Sequence, residues 1–136
     1  MRAQALCFTA LAGVLMTLPT LSRAGVSDAF HQNYAQAIYE ASPEWVHDRR
    51  PQPLLRAVVV LKLKLLPDQR WDAEIMRGND LQPEMVQRAL AAAKRVRVER
   101  LPEDMRERLM RDGVIETWLF DNDGRFQVRT LARSQQ

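Results

Sequence analysis

From Leu55 to Leu65 the apolar residues fall on every second position: Leu55, Ala57, Val59, Leu61, Leu63 and Leu65. In an extended chain such positions share one face, so the pattern predicts a half-buried β-strand. The alternate positions hold Arg56, Lys62 and Lys64 but also Val58 and Val60. That second face is therefore expected to be covered at one end, with the first helix as the candidate cover. Pro67-Asp68-Gln69-Arg70 is turn chemistry. A second strand is predicted after it, with Trp71, Ala73 and Ile75 inward and Arg70, Asp72 and Glu74 outward. Strands joined this closely pair antiparallel.

Helical spacing governs the stretches on either side. Ser27 to Glu40 puts Phe30, Tyr34, Ala37 and Ile38 on one face, with Ser27 or Asp28 placed to cap it. Pro43, Pro51 and Pro53 punctuate the connector that follows, which contains Trp45 and His47 and is expected to be extended. Gly78-Asn79-Asp80 closes the first hairpin and offers Asp80 as the cap of a second helix, with Pro83 tolerated in its first turn. Met85, Val86, Ala89, Leu90 and Ala93 form the stripe of that helix, with Gln87, Arg88, Lys94 and Arg95 opposite. A short helix is predicted from Pro102 to about Arg111, with Asp104–Arg108 and Glu107–Arg111 at i, i+4 and Gly113 as its stop. Val114 to Phe120 reads as a third strand, Asp121-Asn122-Asp123-Gly124 as a tight turn, and Arg125 to Ala132 as a fourth strand.

The N-terminus changes what the composition means. Arg2 precedes an uncharged stretch from Ala3 to Ser22 with its apolar centre at Leu6 to Leu18. Pro19 and then Ser22-Arg23-Ala24 follow, which predicts a secretory signal cleaved after Ala24. An uncleaved membrane anchor is the rival reading, and Gln4, the threonines and Pro19 shorten the apolar stretch against it. With the signal go Arg2, Arg23 and the single cysteine, Cys7. What remains is one small, nearly neutral domain, held by its core without disulfides in an oxidising compartment. Its charge balance is no nucleic-acid footprint.

The chain also resembles a known family. Pro67-Asp68-Gln69-Arg70-Trp71, Gly78-Asn79-Asp80, the helical stretch Met85 to Arg95 and Leu101-Pro102-Glu103-Asp104 occur in the order found in the C-terminal domain of TonB and TolA proteins. The similarity spans roughly Tyr34 to Phe120. It implies a periplasmic module that grips partner proteins and catalyses nothing. In such domains the last strand is an edge that accepts an extended segment of a partner by β-addition. Several features depart from the family pattern. Gln69 stands where the turn usually has Gly, and Ala57 stands where the first strand often opens with Gly. No long spacer lies between Gly25 and Pro53, and helical residues advance only about 1.5 Å each, so the chain is not expected to span the periplasm as an energy transducer. Finally, Arg125 to Ala132 adds a strand beyond the family's usual last one, and that hairpin is expected to fill the partner's place from within.

Other chemistry is weakly signalled. His31 and His47 are the only histidines and have no cysteine beside them, so connector or surface roles are expected and no metal site. Asp121-Asn122-Asp123-Gly124 lacks the acids of a calcium loop at Leu119 and Thr130 and reads as a hairpin turn. No nucleophile context or phosphate loop is present. Trp71 and Trp118 read as core, and Trp45 as a buried staple, with an exposed anchor as the alternative. Lys94, Arg95, Arg97 and Arg100 form a basic cluster that reads first as wet surface, and otherwise as a contact for lipid phosphates or an acidic partner.

The sequence thus predicts a two-layer α+β fold, an antiparallel sheet of three to four strands packed against two or three helices. Residues 1–24 are the signal, 25–53 the first helix and Pro-rich connector, 54–132 the TonB/TolA-like domain, and 133–136 a frayed tail. The expected function is binding of an outer-membrane or periplasmic envelope protein through the sheet edge at Arg125, Gln127, Arg129 and Leu131, with neither enzyme activity nor cofactor, and with homodimerisation by edge pairing as an option. The alternative is a small periplasmic ligand-binding or enzyme-modulating protein that shares only the fold.

Overall fold

The computed structural model describes residues 23–47, 49–50 and 53–132. The expected signal segment falls outside them except for Arg23 and Ala24, and so does the expected tail at 133–136. The elements run α1 (Arg23–Ala41), β1 (Ala57–Leu65), β2 (Trp71–Arg77), α2 (Pro83–Arg95), α3 (Glu103–Arg111), β3 (Val114–Phe120) and β4 (Phe126–Val128). The four strands form one antiparallel sheet in the order β2-β1-β3-β4. Three helices join its inner face, giving the two-layer α+β fold that the alternation predicts.

The inner face is the one read from β1. Ala57, Val59, Leu61, Leu63 and Leu65 are buried and form one core with Val114, Trp118 and Phe120 of β3, Phe126 and Val128 of β4, and the helices. α1 contributes Phe30, Tyr34, Ala35 and Ile38 to that core, and the Tyr34 ring lies 5.8 Å from that of Trp71. It therefore packs in the helix layer and does not cover Val58 and Val60, which stay partly exposed on the outer face. Lys62 and Lys64 on that face stand directly across from Glu74 and Asp72, the cross-strand charge arrangement that favours pairing.

Several local expectations are corrected. α1 begins at Arg23 and runs through Ser27 and Asp28, so neither caps it; Gly25 costs helix propensity without ending the helix. The connector is not wholly extended, because Pro43 opens a 3-10 turn over Pro43–Trp45. The N-cap of α2 is Gln82, with Pro83 in the first turn. Asp80 stays in the preceding turn, where Asn79 Oδ1 accepts the Leu81 N–H at 3.0 Å. In α3, Arg108 also lies over the Phe30 ring at 4.7 Å, and Arg111 pairs with Asp112 at 3.1 Å while still feeling the charge of Glu107. Gly113, at φ 70°, ends α3 as expected, and a Cβ there would meet Leu63 O at 2.7 Å. Ile75 points inward by register, opposite Leu61, yet is 48% exposed. The helix layer stops short of it and leaves a cleft between Ile75 and Val86.

The two hairpins share one construction. Leu66 O accepts the Gln69 N–H at 2.8 Å, and Leu66 N–H donates to Arg70 O at 2.9 Å. In the second, Gly124 N–H donates to Asp121 O at 3.0 Å, and Asp121 N–H to Arg125 O at 2.9 Å. Both need a left-handed residue before the strand resumes, and it is Gly124 (φ 77°) in one and Gln69 (φ 64°) in the other. Gln69 therefore completes the turn but holds an ordinary side chain in a costly conformation.

β4 is shorter than its sequence suggests. It pairs with β3 only over Phe126–Val128, and residues 129–131 leave the ladder as turns. Arg129 N–H still reaches Thr117 O at 2.8 Å, while Thr117 N–H is met by a carboxylate oxygen of its neighbour Glu116 at 2.9 Å. Glu116 is buried, and its carboxylate bears on both tyrosines. Burial first, then Glu116, pushes the Tyr34 hydroxyl far above its ordinary value. Tyr39 is raised too, mainly by burial, although its oxygen accepts the Val128 N–H at 3.1 Å. Because the folded values lie above the unfolded value of about 10, this stability is whole below pH 10 and is lost as pH rises beyond it. Urea titrations between pH 9 and 12 should show a falling unfolding free energy, with Tyr34 contributing up to about 1.4 kcal/mol per pH unit. Tyr34→Phe should remove that share of the slope; an unchanged alkaline limb would assign it to other groups.

Candidate interaction edge

A sheet with β2 and β4 at its margins has two edges for a partner strand. The β4 edge is already filled. Val46 forms a parallel bridge to Phe126, and His47 N–H donates to Phe126 O at 2.8 Å. The Gln127 side-chain amide donates to His47 O at 2.8 Å and also to Arg49 O. This strap is pinned by its own histidine. His47 Nε2 lies 3.0 Å from Asp121 Oδ2, with both side chains buried. His47 Nδ1 accepts the Arg49 N–H at 3.2 Å, so both ring nitrogens face groups of the strap and the second hairpin.

The expected partner row is thereby dispersed. Gln127 is buried and committed to the strap. Arg125 is exposed and tied to Asp123 at 2.8 Å. Arg129 lies in the turn after the strand, and Leu131 packs against the core. The row fails because β4 ends at Val128 and the connector covers its outer side. The sequence gives little warning of this: His47 lies 74 residues before Asp121, and only the fold brings the pair together.

Among the described residues the β2 edge is open, with β1 as its one strand neighbour. Leu66 N–H bonds to Arg70 O, and antiparallel alternation then turns the backbone groups of Asp72 and Glu74 toward β1. Those of Trp71, Ala73 and Ile75 face outward along a seven-residue strand. Each end of this edge has a cleft on the helix side. At the Ile75 end a space of about 290 Å³ is lined by Ile75, Gly78, Pro83 and Val86, with Asp80 at its margin. At the Trp71 end a larger cleft of about 600 Å³ lies between the β1–β2 turn and the end of α2. Its wall includes Trp71, held by Nε1–H donation to Val96 O at 3.2 Å, together with Arg70, Lys94, Arg95 and Arg97.

The basic cluster therefore does line a cleft, joined by Arg70 from the opposite wall, while Arg100 and Arg97 line a second one beside Glu40. Trp45 is a staple: the Arg95 guanidinium stacks on it at 3.6 Å, Arg88 approaches at 5.6 Å, and Glu44 binds Arg95. His31 lies against Phe30 with rings 5.7 Å apart. Among the described residues no group of three His, Cys, Asp or Glu side chains is placed to hold a metal ion, and no helix is long and apolar enough to cross a membrane. No protein-family model matches the chain, and neither a curated protein nor a solved structure is similar enough to count as a match.

Proposed function

We propose that this chain is a periplasmic interaction module of the TonB/TolA C-terminal type, which binds an extended segment of an envelope protein by adding it as a fifth strand. The observation that supports this reading is the β2 edge: outward backbone groups at Trp71, Ala73 and Ile75 in a chain whose other edge is strapped. Open strands of this kind are usually blunted or filled. A second copy is a poor filler. Antiparallel pairing of two β2 strands centred on Ala73 sets Asp72 against Glu74, and centring on Glu74 sets that residue against itself; like charges directly opposite destabilise a pair. These two registers disfavour a second copy, and the occupant proposed is a segment of another protein.

Ala73→Pro tests this directly. It deletes an outward N–H, a position where an edge strand tolerates proline. Tagged protein recovered from periplasm, with Gly25 as its first residue, should capture an envelope protein that the Ala73→Pro form does not. Capture that is indifferent to this change would remove the β2 edge as the site. Recovery of the intact chain in inner membranes would replace the secreted protein with an anchored one.

A further inference from the structure

The two ends of the open edge differ in chemistry, and this gives the partner strand a direction. Resting on the strand-addition reading above, we infer that β2 takes an antiparallel segment with an apolar residue toward its N-terminal side and an acidic residue four positions later. An antiparallel strand starts beside Ile75 and finishes beside Trp71, continuing the sense of the sheet. Residues opposite positions 75 and 71 lie four apart, roughly 13 Å, and point to the same face. That is the face of Ile75 and Trp71, where both clefts open. The first cleft presents Ile75, Pro83 and Val86, and Asp80 at its margin repels an acid. The second presents Arg70, Lys94, Arg95 and Arg97 against Glu99 alone.

Part of that basic character serves the fold. Lys94 and Arg95 complete the last turn of α2, where cations complement the helix dipole, and Arg95 is committed to Glu44 and Trp45. Arg70 is drawn to Asp68 at 2.5 Å. Arg97 approaches Glu99 only at 3.9 Å, and among the described residues Lys94 has no carboxylate within ion-pair distance. Lys94 and Arg97 are thus the cations available to a carboxylate, with the Trp71 ring as an apolar wall beside them.

The test uses the full chain and three capped strand peptides of alternating threonine and valine. One carries isoleucine and, four residues later, glutamate. The second has lysine in place of that glutamate, and the third has the two special residues exchanged. Titration calorimetry should show the first binding about tenfold more tightly than either other, the size of one charge-assisted hydrogen bond. The preference should vanish in the Lys94→Glu, Arg97→Glu double variant, and bound peptide should slow amide exchange at Ala73 and Ile75. Equal affinities with that protection present would overturn the polarity but keep the edge. Tightest binding of the exchanged peptide would overturn the direction. No binding, or binding without protection at Ala73 and Ile75, would remove the edge reading itself.

Discussion

A chain ended at Phe120 is expected not to fold. The residues removed include Phe126 and Val128, both fully buried. Phe126 packs edge-on against Phe120 with ring centres 5.8 Å apart, and Val128 stands opposite Trp118. Their loss would open the core over two aromatic side chains. It would also leave the His47 ring without Asp121, the Tyr39 hydroxyl without the Val128 N–H, and the Val46 bridge without its strand. Truncating one buried phenylalanine alone costs about 3–5 kcal/mol, against a total stability of about 5–15 kcal/mol for a domain. Circular dichroism and amide NMR of the 1–120 chain should show a largely unfolded protein, while removal of residues 133–136 alone should leave the fold intact. A folded 1–120 chain that binds strand peptides refused by the full chain would mean that β4 is a removable occupant. The burial of β4 makes it part of the core.

β1, α2, the two hairpins and the inner face were legible because each is written locally, in alternation, a helical stripe or turn residues. Leu61, Leu63 and Trp118 are where the period places them. The misplaced edge has a different cause. Phe126, Gln127 and Val128 look like an alternating strand with one face free, but all three are buried. What covers Gln127 is backbone from the Pro-rich connector, and no periodicity reports a backbone neighbour. Likewise His47 carries no local signal of burial, since its partner Asp121 reads as a turn residue. Ile75 shows the converse. Its direction follows from the period, but its exposure depends on where a distant helix begins, and a shift in register between Val60 and Leu61 marks the point where β2 departs from regular pairing.

Leu63→Ala should cost about 2–5 kcal/mol of unfolding free energy. Leu63 is fully buried in the middle of the sheet, between Ala73 on β2 and Val114 on β3. Neither neighbour is large enough to refill the space, and Gly113 beside it leaves no room for a side chain, since a Cβ there would meet Leu63 O at 2.7 Å. The adjacent Lys62→Ala should stay within about 0.5 kcal/mol of the parent, as surface changes usually do, because Lys62 is exposed on the outer face between Glu74 and Ile115. Ile75→Ala should fall between them. It shares the inner face with Leu63 but keeps 48% of its surface in water, so only part of the burial energy of about 1.5–3 kcal/mol is at stake. Urea denaturation of the three variants orders them directly. Equal losses for Leu63 and Lys62 would mean that β1 is out of register by one residue, since such a slip exchanges the two faces. A loss at Ile75 as large as that at Leu63 would mean that the edge is covered in solution, which a partner strand or a second copy would do.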